Sequence, residues 1–218
     1  MSIVHNQTAY WDRVSRDKTF TLPVDCRRFA AHVSRDRHVL EYGCGYGRIC
    51  RELWECGYRN IIGIDPSPNM IERGRKEFPY LALHVMKGSV PEFEPDSFDA
   101  LVLFGILTCI PSSDVQQKTM YTVSRLLRPG GILYLSDFPL QHDPRNTERY
   151  KKFQREFGTY GVFRLPEGVI LRHHDMRWIE FLTAAFTKID LWETDVITMN
   201  RNPARAFHYL GRKMPVGQ

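Results

Sequence analysis

"EYGCGYGR", residues 41–48, sets Gly43, Gly45 and Gly47 at alternate positions directly behind the apolar start "HVL". Residues without a Cβ let a chain turn tightly or lie against a ligand, so a loop this rich in glycine puts its backbone to use. Two nucleotide fingerprints fail on it. The dinucleotide pattern G-x-G-x-x-G, aligned on Gly43 and Gly45, needs a glycine where Arg48 stands. The phosphate-binding P-loop needs a Gly-Lys-Ser/Thr ending, and no lysine is nearby. What remains is an acidic residue followed by alternating glycines: Glu41, Gly43, Gly45 and Gly47.

Outward from this loop, apolar runs alternate with helical patterns. The spacing predicts a strand over 38–43 and a helix over 48–57, with Ile49, Leu53, Trp54 and Cys56 facing inward and Gly57 as its stop. A strand over 60–65 follows, then a helix capped by Ser67 with Pro68 in its first position. Strands are expected over 81–88, 98–105 and 132–138, with a helix over 112–131 before the last of them that ends in a Pro-Gly-Gly turn. Alternation at this spacing predicts a parallel sheet with helices on both faces, and ligands beyond the carboxyl ends of its strands. After 138 the rhythm breaks. A basic helix is expected over about 144–157, a hairpin within "YGVFRLPEGVILRHH" (160–174), a helix capped by Asp175, and two strands near 188–197 and 205–212. The whole reads as one domain over 1–218, divided into an N-terminal segment (1–36), a core (37–138), an insert (139–174) and a closing helix and strands (175–218).

The opening loop resembles the first motif of the class I S-adenosylmethionine (SAM)-dependent methyltransferases. The likeness continues over residues 37–138: "GIDPSPNMIERGR" looks like the second motif, "KGSVPEF" the third, "SFDALVLFGIL" the fourth and "LLRPGGILYLSDF" the fifth. It implies a doubly wound, Rossmann-like α/β fold with a seven-stranded, mostly parallel sheet and an antiparallel last strand. It also implies SAM as cofactor, S-adenosylhomocysteine (SAH) as product, and the residues that hold them. Gly43, Cys44, Gly45 and Gly47 would cradle the amino-acid end of SAM above Glu41. Asp65, followed by Pro66, would accept hydrogen bonds from the ribose hydroxyls. Met70 would pack on the adenine, and Phe104, Gly105 and Ile106 would line the site near the sulfonium, where an aromatic face favours a cation. The third motif departs from the family, because Ser89, next to Val90, stands where an acidic adenine ligand is usual. No Asn-Pro-Pro-Tyr-like run follows the fourth strand, which argues against methylation of DNA adenine.

The acceptor side is expected from the insert and the N-terminal segment. Tyr10 and Trp11 are placed over the cofactor as a helical lid, and Lys18, Phe20 and Thr21 lie on a loop that would cap the cofactor's carboxylate. His173, His174 and Tyr160 are the candidate catalytic groups. Strand alternation allows only one of the two histidines to face a pocket, and His173 follows the face of Val169 and Leu171. Asp137, His142, Arg164 and Cys109 are further candidates, Cys109 the weakest because methyl transfer needs no covalent enzyme intermediate.

Composition narrows the class. A chain of 218 residues that is 43% hydrophobic and 12% aromatic can bury a full core. The net charge of +5 is spread over both ends of the chain, and its densest basic run, "RNTERYKKFQREF" (145–157), reads as a solvated helix face. A small-molecule acceptor is expected, with an RNA or protein substrate, or a non-catalytic SAM-binding protein, as the alternatives. No apolar run reaches membrane-span length and no signal core is seen, so a membrane partner is not expected and the protein reads as cytoplasmic. Five cysteines without a CxxC pair read as reduced, packed thiols, and no metal site is expected. The acceptor and the oligomeric state are written in no motif.

Overall fold

A computed structural model describes residues 7–88 and 91–215. Its sheet has seven strands: β1 (Val39–Tyr42), β2 (Ile61–Asp65), β3 (Ala82–Val85), β4 (Phe98–Phe104), β5 (Leu127–Asp137), β8 (Phe186–Ile197) and β9 (Pro203–Lys213). Their order is β3-β2-β1-β4-β5-β9-β8. Neighbours among β1 to β5 pair in parallel, and β9 runs antiparallel between β5 and β8. The order reverses between β1 and β4, so a crevice opens beyond their carboxyl ends, where the glycine loop lies.

Residues that alternate along each strand divide the core in two. Leu101, Leu103, Leu133 and Leu135 meet Met120 and Val123 of α5 (Ser113–Leu126) and Ile179 of α7 (Met176–Leu182) on one face. Ala100, Val102, Ile132 and Tyr134 meet Phe29 of α2 (Cys26–Ala30), Leu53 of α3 (Arg48–Glu55) and Ile71 of α4 (Pro68–Glu77) on the other. Helix starts follow the chemistry of their caps: the Ser67 hydroxyl accepts from Met70 N, and Asp143 and Asp175 cap α6 (Pro144–Phe157) and α7 in the same way.

The insert consists of α6 and a two-stranded antiparallel ribbon, β6 (Val162–Arg164) with β7 (Ile170–Arg172). It shares a separate apolar cluster with α1 (Thr8–Val14), built from Tyr10, Tyr150, Phe163, Val169 and Leu171.

Three sequence readings need correction. Strand β5 begins at Leu127, because the Pro-Gly-Gly segment joins its ladder after a register shift opposite Phe98 and Ala100. On α3 it is Cys50, not Trp54, that is fully buried beside Ile49 and Leu53. Cys26 and Cys56 form a disulfide across a Cα separation of 6.4 Å, leaving Cys44, Cys50 and Cys109 free. Thirty residues apart, they are brought together only when the start of α2 packs on the last turn of α3, so no local spacing announces the pair.

Candidate functional site

Beyond the ends of β1, β2 and β4 lies a cavity of about 710 Å³. One end is built by the glycine loop. Gly43 and Gly45 have φ of +76° and +54°, the region glycine enters without a Cβ penalty. A Cβ on Gly43 would lie 2.1 Å from Ile106 Cδ1, and one on Gly45 would lie 2.5 Å from Phe20 Cε2. Both glycines therefore let Ile106 and Phe20 pack directly against the loop's backbone, which also lines the cavity.

Two carboxylates brace that cradle from below. Glu41 is buried and accepts a 2.8 Å hydrogen bond from Cys50 N, an otherwise orphaned donor in the first turn of α3. Asp65 accepts from Gly45 N through one oxygen and from Ser67 N through the other, both at 2.8 Å, so a single side chain fixes two loops. Burial raises Glu41 to about 7 and Asp65 to about 6, against the lowering effect of those N–H donors. Arg48, standing where a dinucleotide loop would have its third glycine, pairs with Glu52 at 2.6 Å and donates to the Leu22 carbonyl. It thereby ties the N-terminal segment to α3.

That segment covers the cavity. The Gln7 amide nitrogen donates to the carbonyls of Cys109 and Ile170 while its oxygen accepts from Ile170 N, all at 2.8 Å. Asp12 accepts from Ser67 Oγ at 2.5 Å and from Asn69 N at 3.2 Å, seating α1 on the start of α4. Lys18 reaches Asn200 at 3.0 Å, on the turn between β8 and β9, and Glu167 at 3.6 Å, between β6 and β7. Three separate segments thus meet over the mouth.

The other end is walled by the insert and by the loop after β4. Phe138 stacks on His173 with centroids 5.5 Å apart, and Phe163 meets it edge-on at 5.0 Å. His173 Nδ1 lies 2.5 Å from the Tyr150 hydroxyl, and burial, then the guanidiniums and imidazole around it, push its pKa well down. Thr108 is fixed by its hydroxyl bond to the Arg172 carbonyl at 2.7 Å. Burial pushes the Cys109 thiol up, so it stays protonated.

The residues singled out from sequence fall into distinct places. Trp11, Thr21, Glu41, Gly43, Cys44 and Gly45 line the cavity, as do Asp65, Pro66, Met70, Phe104, Gly105, Ile106 and His173. Gly47 does not. It caps α3 with φ +84°, and a Cβ there would lie 2.9 Å from Leu83 Cδ1, so it serves strand–helix packing. Tyr10 is buried in the insert's apolar cluster and, unlike the adjacent Trp11, does not line the cavity. Tyr160 is 38% exposed, outside the lining, with its ring on Tyr150. His174 points away from His173 into a second cavity of about 1030 Å³. Burial drives it to about 3, both its ring nitrogens lack hydrogen-bond partners, and Asp137 is 3.8 Å away. Asp137 itself is spent on the turn after β4, accepting from Thr108 N and Phe138 N. Ser89 and Val90 lie outside the described residues. Sequence reasoning missed Phe163, Arg145 and Arg149 of the insert and Thr198, Met199, Asn200 and Asn202 of the last turn, all at the cavity wall.

A family model described as a methyltransferase domain matches residues 39–131. A SAM-dependent methyltransferase from Methanosarcina mazei superposes with a TM-score of 0.80 at 25% identity, covering 86% of this chain and 97% of that one. A ubiquinone/menaquinone biosynthesis C-methyltransferase, UbiE, from Campylobacter jejuni is 27% identical over 142 residues, 59% of this chain and 58% of that protein. A tRNA U34 carboxymethyltransferase from Shewanella putrefaciens is 27% identical over 183 residues, 79% of this chain and 51% of that protein. The chain thus spans little more than half the length of these two relatives. Among the described residues no helix is long and apolar enough to cross a membrane, and no cluster of metal-ligating side chains occurs.

Proposed function

We propose that this chain, which belongs to the class I SAM-dependent methyltransferases, transfers a methyl group to a small-molecule acceptor enclosed by its own insert. The observation that carries the reading is one continuous cavity, with the glycine cradle at one end and the α6 and β6–β7 insert at the other. The family's cofactor fits the first end. Gly43 and Gly45 present bare backbone to the cavity, and the acidic acceptors there, Glu41 and Asp65, suit a ligand with an ammonium and two ribose hydroxyls. Bound SAM supplies an electrophilic methyl and leaves as SAH. The chain's residues must then orient the acceptor in line, exclude water and, for a protonated nucleophile, take up a proton.

His173 is the group proposed for that proton. The Tyr150 hydroxyl accepts from Gln141 N at 3.2 Å and donates to Asn146 Oδ1 at 3.4 Å. The proposed role uses the tautomer in which His173 Nδ1–H donates to the Tyr150 oxygen, which leaves the Nε2 lone pair for the acceptor. Replacing His173 by asparagine is expected to lower turnover by about 10²- to 10⁴-fold while SAH affinity stays within about threefold. Equal turnover in the two proteins would remove His173 from the reaction.

Glu41 gives a second test, independent of the acceptor. With a pKa of about 7 in the cofactor-free protein, it is about half protonated at neutral pH. An ammonium settling above it restores the carboxylate and releases a proton. SAM binding is therefore expected to tighten as pH rises through 7, and its calorimetric heat near pH 7 to differ between phosphate and Tris buffers. Identical heats would show that Glu41 is not beneath the ammonium. Calorimetry with SAM and with NAD, followed by labelled methyl transfer to a small-molecule panel, tests the function as a whole. NAD binding without SAM binding would overturn the family role of the cradle. Transfer only to RNA or protein, with binding lost steeply between about 50 and 200 mM salt, would overturn the small-molecule acceptor.

A further inference from the structure

We propose that the acceptor carries an oxyanion, a carboxylate or a phosphate, on a flat apolar body, and that Arg149 and Arg145 receive it. This rests on the reading that the insert end of the cavity holds a small-molecule acceptor.

Arg145 and Arg149 lie one turn apart on α6, and both line the cavity. The Arg149 guanidinium sits 3.5 Å from the centroid of the Phe163 ring. Stacking of that kind leaves the planar N–H edge open to partners, of which the Tyr150 hydroxyl takes one and a ligand can take the rest. Among the described residues no carboxylate pairs with Arg149, and its Nε is buried without a hydrogen-bond partner. Arg145 has only a loose contact, Nε to Asp143 Oδ1 at 3.7 Å. Arg164 is matched with Glu156 and Arg205 with Glu193 at 2.9 Å, and Arg172, which has no carboxylate, donates to the Pro111 carbonyl and the Ser113 hydroxyl. A half-buried guanidinium without a counter-charge is costly, so an anion is the partner this geometry lacks.

The cavity is also polarised along its length. Glu41 and Asp65 are the carboxylates of its lining, both at the cradle end, where Arg48 is already paired with Glu52. The insert end presents two arginines, a neutral imidazole and hydroxyls, and no carboxylate. SAM brings positive charge to the acidic end, so an anion at the other end completes the charge pattern. The walls around the arginines are Phe138, Phe163, Leu165 and Leu171, which suit an aromatic or aliphatic body. An anion seated there also offsets the Arg149 and Arg145 charges that help hold His173 uncharged, readying its imidazole for a proton.

The test uses the SAH-loaded protein and defined probes: benzoate, 4-hydroxybenzoate, indole-3-acetate and phenyl phosphate, each beside its neutral methyl ester or parent phenol, followed by ligand-observed NMR and calorimetry. At least one acid is expected to bind roughly tenfold or more tighter than its neutral partner. Arg149→Gln is expected to abolish that preference while SAH affinity is kept, and Arg149→Lys to restore part of it through charge without the fork. Which acid wins separates carboxylate from phosphate. Neutral probes binding as well as acids, no acid binding to SAH-loaded protein, or an Arg149→Gln variant with the preference intact would each overturn the proposal. Failure to load SAH would instead strike the underlying methyltransferase reading.

Discussion

Replacing Gly45 by valine is expected to abolish SAM and SAH binding, by about 100-fold or more, in a protein that still folds. Three effects act together. Gly45 sits at φ +54°, where a residue with a Cβ loses roughly 1–2 kcal/mol and a β-branched one more. The new Cβ would meet Phe20 Cε2 at 2.5 Å, and Phe20 is not free to leave, since it stacks on Tyr46 with centroids 5.5 Å apart while Arg73 covers the far side of Tyr46. The Gly45 N–H would also be turned from Asp65, which now holds it at 2.8 Å. A 100-fold loss corresponds to about 2.7 kcal/mol, which the clash and the lost bond reach without any change elsewhere. Gly45 itself belongs to neither main core cluster, although its neighbour Cys44 does, so far-UV circular dichroism should be unchanged and Tm should fall by only about 2–8 °C. Calorimetry decides it: SAH binding by Gly45→Val within a few-fold of the parent would mean that the cradle does not hold the cofactor. The Gly43 position is a useful contrast. Its obstacle is the mobile end of Ile106, which can rotate away, so Gly43→Ala should weaken binding far less than Gly45→Val.

The parts legible in sequence are those encoded by local spacing. The alternation around 38–138 fixes a parallel sheet, and the sheet puts Glu41, Gly45 and Asp65 at adjacent strand ends. The two-residue period along 169–174 separates His173 from His174, and the structure has Leu171 and His173 on one cavity and His174 on the other. Where the reading falls short, the missing information is tertiary. Arg145 and Arg149 sit within a run of mixed charge, which on an isolated helix means a solvated face; only packing of α6 against Phe163 turns one edge of it inward. Thr198 to Asn202 approach the cavity because the β8–β9 pair is long enough to reach the N-terminal segment, where Lys18 meets Asn200. Tyr10 and Trp11 are adjacent, and on a helix adjacent residues face different ways, so only one of them lines the cavity.

The same logic explains why the site's charges are not spread evenly. Carboxylates ending β1 and β2 are held by N–H donors of the loops they brace, so they serve the fold and the cradle together. The arginines of the insert meet no carboxylate as close: Arg149 rests on an aromatic face and bonds the Tyr150 hydroxyl, and Arg145 reaches one exposed aspartate at 3.7 Å. A group whose hydrogen-bonding capacity the protein leaves unused is where ligand specificity is expected, because the ligand then supplies what the chain does not.

The second large effect is expected at Asp65. Changing it to asparagine should weaken SAM binding by about 100-fold or more, although the shape is nearly conserved. Each carboxylate oxygen already accepts one backbone N–H, from Gly45 and from Ser67, and retains lone pairs for the two ribose hydroxyls. An amide presents one oxygen and one N–H₂, so one backbone donor is left facing another donor whichever way it turns. Hydrogen bonds to a charged acceptor contribute about 1.5–3 kcal/mol each, and the change removes at least one from the loops and weakens those to the ribose. The pH dependence distinguishes this from simple loss of fold. With Asp65 raised to about 6, wild-type affinity should fall as pH drops through 6, because the protonated acid donates where the ribose needs an acceptor. Stability runs the opposite way. A carboxyl raised by burial favours the folded state when protonated, so its contribution is fully present below its ordinary value of 3.8 and is lost as pH rises through 6. The cofactor-free protein should therefore gain Tm on acidification toward pH 5 while losing SAM affinity, and Asp65→Asn should lose the step near 6 in both curves while keeping the Glu41 step near 7. A variant that binds SAM within threefold of wild type, or that keeps the step near 6, would place the ribose elsewhere than on Asp65.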